Sequence, residues 1–389
     1  MPNQIAILTS DWHLDKYTWA KHPTLAGDSL YSLEQIIDYA NNHDIRDILA
    51  AGDLIDRHNP DSYTVAQTIS LLNKYKVKDG LISFIQGQHE KVRENPWLSL
   101  SPKAIYSHRS HWHLENGARC YGIDHNRPDT LQAELDAIPR DTDLLMMHQV
   151  WKEFMYPFPY EASISAIQQD IDLLLTGDFH QTHVRHYMNA HDRKFKVISP
   201  GSISMRAIDE TENKYFFVLW SDMSVTKIQL KTRAVFRRII ENEEQLREFI
   251  NEYECSQLID QSQTLPPQLR KNILDVKYHP NIDDVFDRIT KAVNNKAFLF
   301  LRPIKIKQLD TIEQPAVQDM SSVAIEDCLA QRLDSESQEY ALIMRLLNSN
   351  QVNEETKAMI QELLECGSIE SDSKTSASTE IETQNLIPA

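Results

Sequence analysis

Residues 5–13 read IAILTSDWH, an apolar run that gives way to Asp11 and His13. A short apolar run bounded by polar residues is the mark of a strand buried on both faces. Four similar runs follow in chain order. Asp53 lies in GDLIDR after DILAA, and Gln88 and His89 lie in GQHE after LISFIQ. His148 follows LLMM, and Asp178 and His180 follow LLLTG. Each run therefore ends in side chains able to ligate a metal. Open α/β sheets gather ligands at the carboxyl ends of their strands, so five such ends point to one shared site.

The rest of the chain sets the frame. At 389 residues it exceeds one typical domain, and two or three are expected. A hydrophobic content of 41% is enough for packed cores. Cys120, Cys255, Cys328 and Cys366 lie far apart and form no CxxC pair, so they read as reduced thiols of a cytoplasmic protein. The opening MPNQIAILTS has no basic segment followed by a long apolar stretch, so no signal peptide is expected. No uncharged apolar run nears 18 residues, so no membrane span is expected either.

Charge divides the chain. Residues 1–240 hold 26 Lys+Arg and 30 Asp+Glu, a net of −4, so residues 241–389 carry −13 of the total of −17. Fourteen of the fifteen histidines fall in the first part. The nearly neutral, histidine-rich part carries the chemistry. The overall charge argues against coating of a polyanion by bulk positive charge, but bound cations can supply positive charge locally.

Strands are expected at Ile5–Leu8, Ile45–Ala50, Leu81–Ile85, Leu144–Met147, Leu173–Leu175, Lys196–Ile198 and Tyr215–Trp220. Helices are expected at Ser32–Asn41 and Ser62–Tyr75, where apolar residues recur three and four apart. Strand and helix alternate early, and strands crowd together later, which suggests a layered α/β sandwich with a mixed sheet. After about Thr232 a polar helix around Glu243–Glu254 precedes a strand–helix–strand pattern, a small α+β domain. Residues 310–320 read as a linker, followed by amphipathic helices at Val323–Leu333, Gln338–Asn348 and Asn353–Cys366. The Ser/Thr-rich tail from Gly367 reads as disordered.

Asp11 and His13 lie two apart at a strand end, so both can point to one side. Gly52 would let the backbone pass close to a metal pair. Asp53 could bridge two cations with its two oxygens, and Gln88 offers a neutral carbonyl oxygen. His89 can face a substrate and protonate a leaving alkoxide. Asp and His together suit paired divalent cations, which hold a phosphate ester and activate a water for in-line attack. Taken singly, each motif is as well explained by a turn or a buried histidine; their order and strand-end placement carry the reading. His108, His111, His113, His183, His186 and His191 form no ordered pattern and read as surface or loop residues, with His183 or His186 the ones that could meet substrate. Arg57 is a candidate phosphate contact.

This set resembles the calcineurin-like metallophosphoesterases, whose pattern is D-x-H, G-D, G-N-H-[ED], a lone H and G-H-x-H. Within them the chain most resembles DNA-repair nuclease subunits of the SbcCD type and their phage and eukaryotic counterparts. The stretch PGSISMRAIDETENKYFFVLW is similar to that branch's P-G-S, then E, then K-strand ending. Two residues depart from the pattern: Gln88 stands where Asn is usual, and Asp178 where the first His of G-H-x-H is usual. Both still offer oxygen ligands, and Asp178 favours a harder cation.

The resemblance implies a metallophosphoesterase sandwich over residues 1–232, a capping domain over 233–309, and a partner-binding helical segment over 321–366. It implies one cation on Asp11, His13, Asp53 and His180, and another on Asp53, Gln88, His148 and Asp178. Manganese is the expected metal, with magnesium an alternative. It further implies a nuclease acting on DNA, a homodimer through the Ser62–Tyr75 helix, and an SbcC-like coiled-coil ATPase partner. Two rivals stand beside it: a phosphoesterase acting on small nucleotides or phosphoproteins, and a weakly active scaffold in which Gln88 and Asp178 have weakened the metals.

Overall fold

The computed structural model describes residues 2–14, 27–90, 97–155, 158–189, 191–255, 269–294 and 297–304. Residues 1–305 form one compact unit. The linker, the terminal helices and the tail expected beyond residue 309 lie outside the described residues. No helix among the described residues is long and apolar enough to cross a membrane.

Two six-stranded sheets make the sandwich. The first holds β1 (Gln4–Thr9), β2 (Asp47–Ala51), β3 (Leu81–Ile85), β4 (Ala104–Tyr106), β11 (Tyr215–Trp220) and β12 (Val225–Gln229) in the order β12-β11-β1-β2-β3-β4. The second holds β5 (His111–His113), β6 (Arg119–Ile123), β7 (Leu144–His148), β8 (Leu173–Gly177), β9 (His183–Met188) and β10 (Lys194–Ser199) in the order β5-β6-β7-β8-β10-β9. Strands β1 to β4 are mutually parallel, as are β6, β7, β8 and β10, while β11, β12, β5 and β9 pair antiparallel. The sheets are therefore mixed, as expected for a layered α/β sandwich.

The central strands are apolar throughout because both faces are covered. In β2, Leu49 and Ala51 face a core shared with Leu144, Met146, Leu173 and Leu175 of the second sheet. Ile48 and Ala50 face the opposite way, into a core with α1 (Gly27–His43) and α2 (Ser62–Leu72). In β7, Leu145 and Met147 turn outward to a third core with α3 (Pro128–Asp136), Trp151 and Ile164. The short helix α4 (Lys152–Met155) follows β7. Truncating any of these buried leucines to Ala would cost about 2–5 kcal/mol. Asp61 caps α2 by accepting from the Tyr63 and Thr64 amides, both at 3.0 Å.

β13 (Val235–Ile240), β14 (Ile273–Tyr278) and β15 (Phe298–Pro303) form a separate parallel sheet. α5 (Glu243–Cys255) and α6 (Val285–Val293) cover it, and Leu246, Ile289 and Val276 sit in its own core. The strand–helix–strand pattern read in the sequence is β14, α6 and β15. Several elements carried no clear sequence signal: β4, β5, β6, β9, β12, β13 and α3. β5 (HWH) and β9 (HVRHYM) are edge strands whose polar, exposed residues hide any apolar alternation. Cys120 is a buried free thiol whose pKa burial raises.

Candidate metal centre

Two loops zipped together build the floor of the site. Beyond β1 and β2 the chain continues to pair: the amides of Asp11, His13 and Leu14 donate to the carbonyls of Gly52, Asp53 and Leu54 at 3.0, 2.9 and 2.9 Å. Asp11, His13, Asp53 and Asp178 all have positive φ, at 50°, 46°, 52° and 78°. Four candidate ligands in a conformation that L-residues rarely adopt is a cost that surrounding structure must sustain, and such strain gathers at functional sites. Buried Glu90 sustains part of it. Its carboxylate accepts from the amides of Leu54 (3.0 Å), Ile55 (3.1 Å) and Gly87 (3.2 Å), holding the Asp53 loop from below. Burial, then the charge of Asp53, pushes the Glu90 pKa up to about 8.

The two central carboxylates are half satisfied. Asp11 Oδ1 accepts from the Asp178 amide at 3.0 Å, and Asp53 Oδ1 from the His89 amide at 3.1 Å. Asp11 Oδ2, Asp53 Oδ2 and His148 Nε2 are buried with no hydrogen-bond partner among the described residues. Asp53 Oδ2 lies 3.4 Å from His148 Nε2, 3.9 Å from His13 Nε2 and 3.7 Å from His89 Nε2. Buried polar atoms left unpaired cost about 1–3 kcal/mol each, so three converging on one spot call for a ligand.

The imidazoles are oriented from behind. His148 Nδ1 donates to the Ala51 carbonyl at 2.7 Å, turning its Nε2 inward. A Cβ on Gly52 or on Gly177 would strike the His148 ring, so the ring can sit there only because both positions lack a side chain. His13 Nδ1 lies 3.0 Å from Asp56 Oδ1, and His180 Nδ1 lies 3.1 Å from Glu210 Oε1. The far nitrogens of these two rings face each other at 3.2 Å. Two lone pairs at that distance repel unless a proton or a cation lies between them. Carboxylate–imidazole pairs aimed at a common point are the usual scaffold of a metal site.

Electrostatics divides the cluster: His13 and Asp53 shift toward their ligating forms, His148 and Asp11 toward their protonated ones. Burial pushes the His13 pKa down to about 3, against the pull of Asp56, so this ring is neutral and ready to ligate. Burial raises Asp53, but His148, His13 and His89 outweigh it and the net shift is downward. Burial lowers His148, and Asp53 more than reverses it. Asp11 is raised by burial above the usual carboxylate range.

Two triads of donor atoms lie within 4.8 Å of one another: Asp11, His13 and His180, and Asp11, Asp53 and His148. The donor set fits divalent cations held by mixed oxygen and nitrogen ligands. Gln88 and Asp178 sit at the rim. Gln88 Nε2 donates to Asp178 Oδ1 at 2.7 Å, so the two residues that depart from the usual pattern contact each other. His89 is 37% exposed and stacks edge-on to His13 at 5.4 Å, at the solvent mouth. Arg57 is exposed beside Asp56.

Several site residues escaped the sequence reading. Arg206 Nη1 lies 3.2 Å from His13 Nε2, and its other terminal nitrogen pairs with Asp56. Lys214 Nζ donates to Glu210 Oε2 and Ser202 Oγ, both at 2.8 Å. The Ser, Glu and Lys of the PGS…E…K stretch therefore form one buried network that backs His180. Asp56, by contrast, follows Asp53 by three residues, and nothing in the sequence separates it from a surface acid.

Residues 6–182 match the family model of calcineurin-like phosphoesterases. This part of the chain is therefore a calcineurin-like metallophosphoesterase domain, the class that the two-sheet sandwich and the Asp/His cluster define. The "DNA double-strand break repair protein Mre11" of Haloferax volcanii is 29% identical over 182 residues, which are 45% of this chain and 41% of that protein. The protein of the same name from Methanosarcina acetivorans is 28% identical over 197 residues, 46% of this chain and 31% of that one. The chain thus spans less than half the length of these curated relatives. A solved structure, TT1561 of Thermus thermophilus, overlaps 59% of this chain and 100% of its own, with a TM-score of 0.40 and 12% identity, a distant likeness only.

Proposed function

We propose that this chain is a Mn²⁺-dependent nuclease that hydrolyses phosphodiester bonds of DNA. The carrying observation is the cluster of buried atoms without a partner among the described residues, Asp11 Oδ2, Asp53 Oδ2 and His148 Nε2, beside the opposed His13 and His180 rings. It lies in a phosphoesterase domain whose curated relatives are named for break repair. His13, His180 and Asp11 would hold one cation, and His148, Asp178 and Gln88 the other, with Asp53 shared. When bound, such cations supply Lewis acidity and lower the pKa of a water.

The remaining steps belong to side chains. His89, at the mouth and 3.7 Å from Asp53 Oδ2, protonates the leaving 3′ oxygen. Arg206, anchored by Asp56, places a fixed positive charge beside the cluster and orients a phosphate oxygen. Arg57 offers a second phosphate contact from the exposed side of the same loop. The reading extends to a cytoplasmic repair or recombination complex in which this chain forms a homodimer and binds an SbcC-like coiled-coil ATPase. Residues 233–309 would cap the catalytic domain, and residues 321–366 would dock the ATPase.

The test is a nuclease assay on linear duplex and hairpin DNA with Mn²⁺, with and without such an ATPase. Nucleotide release is expected from the wild type. His89→Ala should lose release while retaining manganese by elemental analysis. Full activity in that variant would remove His89 from the mechanism, and no hydrolysis of any phosphodiester would remove the nuclease.

A further inference from the structure

The loops that carry the candidate ligands of the second sheet also carry a row of rings. Phe179 stands between Asp178 and His180. Phe154, in α4, lies 5.3 Å from Phe179 and 4.3 Å from His183, centroid to centroid. His183 stacks on Tyr187 at 5.9 Å and 21°, and its Nε2 is 2.8 Å from the Tyr187 hydroxyl. The row thus starts at Phe179, the residue between two candidate ligands, and runs along β9 over about 13 Å of strand.

Packing alone does not account for it. Trp151, Ile164 and Ile167 beneath it are fully buried, and Phe154 and Tyr187 rest on that core. Yet Phe154, Phe179, His183 and Tyr187 all keep part of their surface in solvent. Farther along the Phe154 loop, Phe158 and Tyr160 are 66% and 45% exposed. A concentration of partly exposed aromatics beside a polar site marks a binding surface. Residues 183, 185 and 187 share one face of β9, so Arg185 projects on the same side as the two rings and is exposed. Burial and the charge of Arg185 lower the His183 pKa, which keeps the ring uncharged at neutral pH.

We propose that this ledge of Phe154, Phe179, His183 and Tyr187 binds unpaired nucleobases of the DNA strand whose phosphate lies at the metal centre. Aromatic faces stack on bases without regard to sequence, and a neighbouring cation tracks the backbone. A duplex buries its base faces, so the ledge selects single-stranded ends, gaps or frayed termini. The inference rests on the nuclease reading above and narrows its substrate.

The experiment compares an intact single-stranded oligonucleotide with one of equal length that is abasic over the nucleotides flanking the cleaved bond. The full chain is used with Mn²⁺. Phe154→Leu and Tyr187→Leu remove rings while preserving apolar burial; Phe179 is left untouched because both its neighbours are candidate ligands. The wild type should favour the intact strand by roughly tenfold for each stacked base, mainly through KM. In the double variant that preference should collapse towards one, with the melting temperature retained. Equal wild-type rates on intact and abasic strands would overturn the ledge while leaving the nuclease standing, as would an unchanged preference in the variant. Wild-type hydrolysis of bis-p-nitrophenyl phosphate with no cleavage of either oligonucleotide would overturn the DNA reading, and the ledge with it.

Discussion

On the His13 and His180 side of the cluster each imidazole leans on a carboxylate, whereas on the His148 side the support is backbone. Asp56 and Glu210 stand behind the first pair, themselves held by Arg206 and by Lys214 with Ser202. His148 Nδ1 is backed by the Ala51 carbonyl, with two glycines around the ring, and its companions Asp178 and Gln88 lie at the rim, bonded to each other. A carboxylate makes an imidazole a stronger donor, while a backbone carbonyl fixes its position with less effect on its basicity. The two sides should therefore differ in metal affinity, the carboxylate-backed side being the tighter.

The most severe way to break this contrast is Asp53→Asn, because Asp53 Oδ2 faces His148 and His13 together. Hydrolysis of bis-p-nitrophenyl phosphate with Mn²⁺ should fall by on the order of 10³-fold, about 4 kcal/mol of barrier. Activity within tenfold of the wild type would mean that the two sides do not share this carboxylate.

Glu210→Gln should be next in size. It keeps the shape and removes the charge behind His180. Manganese titration by calorimetry should show two classes of site, with the tighter one weakened by about 10–100-fold and the weaker one hardly changed. Equal weakening of both would dissolve the asymmetry.

Gly177→Ala probes the opposite side. The added methyl meets the His148 ring and the Ala51 carbonyl, so the fold should lose about 1–3 kcal/mol in denaturant titrations. The weaker class of manganese site should deteriorate first. A variant of wild-type stability and wild-type titration would show that His148 has room that the structure does not give it.

Gln88→Ala should have the smallest effect. It removes one hydrogen bond to a half-exposed carboxylate, about 0.5–1.5 kcal/mol, and so a few-fold loss confined to the weaker site. A loss beyond tenfold would show that the Gln88 oxygen carries more of the weaker site than its hydrogen bond to Asp178 does.

Much of the sandwich was legible because its central strands are buried on both faces, which leaves continuous apolar runs such as LLLTG and DILAA in the sequence. Most of the strands that escaped are edges; β6 is the exception, lying between β5 and β7. β9 and β5 face solvent and carry histidines and charges that periodicity cannot read. The site divides in the same way. Asp11, Asp53, His148 and His180 could be read because each ends an apolar run. Asp56, Glu210, Lys214 and Arg206 could not be placed, since they act on partners 43, 30, 12 and 193 positions away.

The order of strand-end ligands, and the family resemblance they carry, belong to the sequence by itself, because a buried strand writes its boundaries into consecutive residues. Which carboxylate backs which imidazole, that Gln88 and Asp178 lean on one another, and that Phe179 begins a row of rings were decided only when two sheets packed face to face. Those relations join residues from separate strands and loops, and one-dimensional spacing holds no record of distances across a core.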